Sequence, residues 1–209
     1  VSERLDSLGL RFMLTGSFAM AFYATPRMTR DLDIVVALEM RDVPRVVAGF
    51  AADFYVDEDA AREAVRDGRL FNLMHLGSGI KIDFIVRKND PYRRLELDRR
   101  QRAEVGGLAT WVVSREDLIL SKLVWGKLSG SELQRRDVAA LWHVDMDWPY
   151  LRRWARELTV ADELASILET AHLLRSPANA KRLSAALKRA RSGKGKRLTT
   201  RQLRAVAGL

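Results

Sequence analysis

Gly16-Ser17 and Asp31-Leu32-Asp33-Ile34-Val35-Val36, separated by thirteen residues, decide how this chain is read. Arg11 to Leu14 reads as a short strand, Gly16-Ser17 as the turn that leaves it, and Phe18 to Tyr23 as a helix. The first amide groups of such a helix have no intrahelical partner and attract phosphate. Ser17 can cap that helix or donate to an anion, while Gly16 lets the backbone approach a ligand. Leu32, Ile34, Val35 and Val36 mark the next strand, and Asp31 and Asp33, two apart, project from one of its faces. Aspartate is disfavoured in strands and two on one face repel unless a cation or a neighbouring base compensates, so the pair signals a metal site; a solvated strand end is the plain alternative.

A third carboxylate follows. Ile80-Lys81-Ile82-Asp83-Phe84-Ile85-Val86 alternates, with Ile80, Ile82, Phe84 and Val86 on one face and Lys81, Asp83 and Ile85 on the other. If this strand lies beside the Asp31 strand, Asp83 completes a set of hard oxygen donors able to hold Mg²⁺ over phosphates. An acid on an exposed edge strand is the competing explanation.

Residues 11 to 86 resemble the nucleotidyltransferase superfamily, the fold of DNA polymerase beta. Its signature is a Gly-Gly or Gly-Ser, a short helix, an Asp-x-Asp or Asp-x-Glu strand and a later third acid. Thr25-Pro26-Arg27-Met28-Thr29-Arg30-Asp31-Leu32-Asp33 looks like the small bacterial members, in which an Arg and a Thr precede the paired acids. The resemblance implies an α+β fold, a minimal mixed β-sheet with flanking helices. It implies that Asp31, Asp33 and Asp83 bind one or two Mg²⁺ ions. It also implies that a nucleoside monophosphate moves from an NTP to a hydroxyl, with release of pyrophosphate. Gly16, Ser17 and Arg30 are then phosphate-binding candidates.

The remaining sheet and helices are read from local pattern. A helix is expected at Asp42 to Phe54, with Pro44 tolerated only in its first turn, and another at Glu58 to Asp67, closed by Gly68. Strands follow at Leu70 to Leu76 and Ile80 to Val86, joined through Gly77-Ser78-Gly79, with a further strand at Thr110 to Val113. Everything after Ser114 reads as helix. The expected organisation is an α/β core over residues 1–113 and an α-helical C-terminal region over residues 114–209 that ends in a basic tail.

Within that region Ser114-Arg115-Glu116-Asp117 resembles a capping box opening a helix through Trp125, and Ser131-Glu132-Leu133-Gln134 opens another through His143. Lys122 and Asp137 each fall in the middle of an apolar stripe, where an unpaired ion costs several kcal/mol. The two can pair structurally. Alternatively, Glu116 to Lys122 and Arg135 to Leu141 resemble the later motifs of AbiEii-type toxins, nucleotidyltransferases of toxin-antitoxin and phage-defence systems. That resemblance places Lys122 and Asp137 in the active site, Lys122 toward the triphosphate and Asp137 orienting a basic group or assisting acceptor activation, and it makes a cognate antitoxin a candidate partner.

Composition limits the alternatives. There is no cysteine, hence no disulfide or thiolate metal site, and His75, His143 and His172 are too scattered for zinc. No stretch approaches a membrane span and no signal peptide is visible, so a cytoplasmic location is expected. Val1 precedes a helix-like Ser2 to Leu8 already under way, which points to a missing start or a non-standard start codon. His75 is expected to be a satisfied core histidine, and the five tryptophans to be packing residues.

Charge is divided along the chain. Residues 1–150 carry 22 basic and 23 acidic side chains, whereas residues 151–209 carry 14 and 4. The basic third favours RNA, tRNA among the candidates, as acceptor through phosphate contacts. A solvated helix with a flexible Ser192-to-Lys196 linker explains it equally well. Transfer to a protein or small molecule, and nucleotide or nucleic-acid binding without turnover, are the other readings.

Overall fold

Alternation of apolar residues produces a seven-stranded mixed sheet among the residues that the computed structural model describes, which are 1–25, 29, 31–105 and 107–175. Its strands are β1 (Phe12–Leu14), β2 (Asp31–Val36), β3 (Phe54–Val56), β4 (Leu70–His75), β5 (Lys81–Val86), β6 (Gln101–Val105) and β7 (Leu108–Val112). They lie in the order β3-β4-β5-β2-β1-β7-β6. β2 runs parallel to β5 and antiparallel to β1, and β1 runs parallel to β7. The helices are α1 (Ser2–Ser7), α2 (Gly16–Ala19), α3 (Val43–Phe50), α4 (Glu58–Asp67), α5 (Pro91–Asp98), α6 (Arg115–Ser129), α7 (Glu132–Leu141), α8 (Trp148–Glu157) and α9 (Ala161–Arg175). The fold is α+β. Val1–Leu164 forms one compact unit and Ala165–Leu209 a second, in which the described part is the remainder of α9. No helix of the described residues is long and apolar enough to cross a membrane.

The two sheet faces differ in chemistry because side chains alternate along each strand. Phe12, Leu14, Ile34, Val36, Ile82, Phe84 and Val86 are buried on one face. There Phe50 of α3 meets Phe54 and Phe84 edge-on, with ring centroids 5.5 and 5.6 Å apart. The other face carries Asp31, Asp33, Lys81 and Asp83. A crossover of two helices and two strands separates β2 from β5, so distant segments of sequence become direct neighbours.

Local signals explain most helix ends. Asp57 caps α4 by accepting from the Ala60 amide, and Gly68 closes it in the left-handed region at φ +63°. Ser114 caps α6 by accepting from the Asp117 amide. Pro44 does fall in the first turn of α3. Before it, Glu39 and Asp42 make a reciprocal capping box around a 3₁₀ turn at Met40–Asp42.

Several expectations are corrected. α3 stops at Phe50, and Phe54, expected to end that helix, instead opens β3, where Phe54 to Val56 pair with His75 to Leu73 of β4. The expected Phe18–Tyr23 helix is a four-residue α2 that starts at Gly16, followed by a 3₁₀ turn at Met20–Phe22. α5 and β6 were not signalled by periodicity, since α5 is short and strongly charged and β6 alternates without a buried apolar face. α6 runs beyond Trp125 to Ser129, and α7 ends at Leu141 rather than His143. Ser131 makes no side-chain cap bond, and the Gln134 side chain accepts from Lys122. His75 is not a core residue: it sits at the β4–β5 turn, with Nδ1 bonded to Ser78. Trp125 is 53% exposed.

Phe50 is fully buried between two aromatic partners, so truncation leaves a cavity that the sheet cannot close. Phe50→Ala is expected to lower stability by about 3–5 kcal/mol in urea denaturation, and a loss under about 1 kcal/mol would contradict this packing.

Candidate active site

Parallel pairing of β2 with β5 sets Asp33 directly opposite Asp83 and Asp31 opposite Lys81. Three carboxylates therefore share one end of one sheet face. Asp33 is the most constrained. Its carbonyl accepts from the Thr15 amide at 2.9 Å, which ties β2 to the turn leaving β1. Gly16 sits against the Asp33 carboxylate so closely that a Cβ there would lie 1.9 Å from Asp33 Oδ2. Its φ of +63° also favours glycine. The space Gly16 vacates in this structure is filled by Asp33, an intramolecular reason for the glycine that the sequence reading lacked. Thr15, not Ser17, is the N-cap of α2, and Ser17 lies inside the helix.

Burial first, then the neighbouring carboxylates of Asp83 and Asp31, push the Asp33 carboxyl above its ordinary range, while Lys122 and Lys81 pull it back. Lys81 Nζ donates to Asp83 Oδ2 at 3.1 Å and stands 3.8 Å from Asp31 Oδ1. Asp83 Oδ1 is buried and, among the described residues, has no hydrogen-bond partner. A buried carboxylate oxygen without a donor is costly unless something positive reaches it.

That orphaned oxygen is where a divalent cation fits this donor set. Among the described residues no group of three carboxylate or imidazole side chains is arranged to hold a metal alone. Mg²⁺ does not require it, since it is commonly held by one or two carboxylates together with substrate phosphates and water. Asp33 and Asp83, with Asp31 beside them, satisfy that lesser demand.

Lys122 reaches this region from α6. Its Nζ donates to Asp137 Oδ2 at 2.7 Å and to Gln134 Oε1 at 3.2 Å, both on α7. The Lys122 and Asp137 side chains are 4% and 5% exposed. The structural pair foreseen in the sequence is thus made, and the same ammonium also acts on Asp33. Gln134 was missed because it was read as a helix cap. Its position three residues before Asp137 on one helix face was the available signal. Arg30 lies outside the described residues, as do Arg27 and the basic tail beyond residue 175.

The profile of the family described as "Nucleotidyl transferase AbiEii toxin, Type IV TA system" matches residues 3–137, a span that includes Gly16, Asp31, Asp33, Asp83, Lys122 and Asp137. Among solved structures, the chain is similar to an antigenic nucleotidyltransferase-like protein from Paracoccidioides brasiliensis. The identity is 17% and the TM-score 0.59, covering 84% of this chain and 87% of that one. It is more distantly similar to the lincomycin-bound lincosamide antibiotic adenylyltransferase LnuA, at 12% identity and TM-score 0.44, over 66% of this chain and 90% of that one. These two likenesses concern the fold. No curated protein matches in sequence.

The raised pKa of Asp33 has a thermodynamic consequence. Between the ordinary carboxylate pKa and the raised one, the folded protein keeps a proton that the unfolded chain has released. Stability therefore falls as pH rises through that window, the cost persists above it, and it vanishes below the ordinary value. In EDTA, Asp33→Asn is expected to raise Tm by about 2–4 °C at neutral pH. The gain should shrink away below about pH 4. Thermal scans across pH check this, and a gain that persists in acid would refute the electrostatic account.

Proposed function

Because the chain belongs to the AbiEii family of nucleotidyl transferases, we propose that it transfers a nucleoside monophosphate from an NTP to an acceptor hydroxyl of RNA, tRNA foremost, as a toxin or defence component neutralised by a protein antitoxin. The chain is an enzyme of nucleotidyl transfer. The observation that carries the site assignment is the register pair Asp33 opposite Asp83, with Asp31 on the same face.

Asp31, Asp33 and Asp83 would hold one or two Mg²⁺ ions, whose chemistry is to neutralise charge on the reacting phosphates. Gly16 and Ser17, where β1 gives way to α2, bind the outer phosphates, and Arg30, outside the described residues, is the further phosphate-binding candidate. The acceptor oxygen bonds to the α-phosphorus as the bond to the β-phosphate oxygen breaks and pyrophosphate leaves. The hydroxyl proton passes to the Asp83 carboxylate. Lys122 keeps a fixed positive charge behind Asp33 and offsets charge developing on the leaving group, with Asp137 and Gln134 holding its ammonium.

RNA as acceptor is supported by the surplus of 14 basic over 4 acidic side chains in residues 151–209. A small-molecule acceptor is the second reading, favoured by a cavity of about 760 Å³ beside Asp31, lined in part by Leu14, Phe18, Leu32, Ile80 and Thr110. That volume falls within the usual range of small-ligand pockets.

Labelled NTPs, offered with Mg²⁺ and either total RNA, protein extract or small hydroxylated molecules, test the reading. Label is expected in RNA, and lost in Asp33→Asn and Asp83→Asn although the first is more stable than the parent. Transfer surviving both substitutions would reject the site, and label confined to small molecules would reject the acceptor. The buried pair is separable by a double variant. Lys122→Met alone is expected to cost about 3–5 kcal/mol, and Lys122→Met/Asp137→Leu to recover most of that. A recovered fold without transfer assigns the Lys122 charge to the chemistry, whereas recovered transfer assigns it to packing.

A further inference from the structure

Lys81 lies opposite Asp31 across the β2–β5 pairing and two residues before Asp83, so it rises from the sheet face that carries the acids. Its ammonium stands between two of them, 3.1 Å from Asp83 Oδ2 and 3.8 Å from Asp31 Oδ1. It therefore sits where a second cation would draw on the same oxygens. Lys81 differs from Lys122 in freedom. Its side chain is 35% exposed against 4% for Lys122, and its register neighbour on β4, Met74, is itself 39% exposed. A four-carbon stem on an open face can swing its charge away at little cost.

We propose that Lys81 is a tethered counter-ion that neutralises Asp31 and Asp83 in the metal-free protein and is displaced by the arriving divalent cation, so that it sets the metal affinity of the site. This rests on the reading of Asp31, Asp33 and Asp83 as the metal-holding carboxylates. Without a cation, three acids on one face repel, and Asp33 is already strained by burial beside Asp83 and Asp31. Lys81 relieves that repulsion. The same contact means that a divalent ion binds a site already partly neutralised, and competes with the Lys81 ammonium for the Asp83 and Asp31 carboxylates. Metal binding is weakened by that competition, and the released ammonium stays on the open face, within its stem's reach of the acids.

The test is direct Mn²⁺ binding to the nucleotide-free protein, read from the electron paramagnetic resonance signal of free Mn²⁺, with Tm against Mn²⁺ concentration as a second readout. Removing one positive charge next to the ligand oxygens should tighten binding about tenfold in Lys81→Met. Lys81→Gln, a second neutral replacement, should do the same, and Lys81→Arg should stay within about twofold of the parent because its charge remains. The metal-free Tm of both neutral variants should fall, since the acids lose their counter-ion. Parent binding that is unchanged or weakened in both neutral variants overturns the role of Lys81 and leaves the metal site standing. Mn²⁺ that binds none of these proteins at millimolar concentration overturns the metal site and Lys81 together. Parent binding that survives Asp83→Asn undiminished overturns the shared-oxygen geometry on which the competition depends.

Discussion

Two like charges facing each other across a parallel strand pair are the constraint around which this structure is arranged. Asp33 and Asp83 are register partners, and Asp33 is half-buried, so neither solvent nor distance relieves them. The surroundings supply relief from three directions. Lys81 stands on the solvent side of Asp83, Lys122 acts on Asp33 from α6, and the Thr15 amide fixes the Asp33 backbone. The close approach of Gly16 then leaves the Asp33 carboxylate little room to turn aside.

Holding a lysine almost wholly buried near that cluster requires a rigid platform. Asp137 and Gln134 fix its ammonium, and a second polar cluster fixes the start of its helix. Asp117, fully buried five residues before Lys122, accepts from the hydroxyls of Tyr92, Tyr150 and Ser114 and from Arg99 Nε. Burial raises the Asp117 carboxyl while those donors oppose the rise. Glu96 on α5, also buried, is bonded to Ser121 and Arg93 one turn further along the helix contact. These bonds lock α5 and α8 onto α6, because the loss of any one of them would leave a buried carboxylate short of a donor. The helical region thus serves the sheet: it delivers one positive charge to a place where the sheet has placed negative ones.

How much of this was legible depended on whether a residue's neighbours shared its period. Asp31, Asp33 and Asp83 stood out because each breaks a strand whose other positions are apolar, and a period of two then puts them on one face. Lys122 and Asp137 stood out because each breaks an apolar stripe of period near four. The register that makes Asp33 face Asp83 was not legible, since strand order follows from a crossover and not from local pattern. β3 was hidden for a related reason. Phe54 falls at the end of an amphipathic helix pattern, and pairing with the edge of β4 makes it and the next two residues a strand. The contacts of Gly16 with Asp33 and of Gln134 with Lys122 were not legible, because those partners are remote in sequence or on another helix.

The two lysines divide the electrostatic work by their freedom to move. Lys122, buried and bonded on α7, cannot leave without breaking its 2.7 Å ion pair with buried Asp137, so its charge belongs to the site at every stage. Lys81 has one close oxygen partner, an open flank and a flexible stem, so its charge is the one that can be exchanged. A site with only fixed positive charge would keep its carboxylates partly neutralised as the metal ion arrived and would bind it weakly. A site with none would hold Asp33 and Asp83 together only at a large cost in stability. One permanent and one exchangeable ammonium satisfy both conditions, which accounts for a lysine on the solvent side of the acids and another behind them.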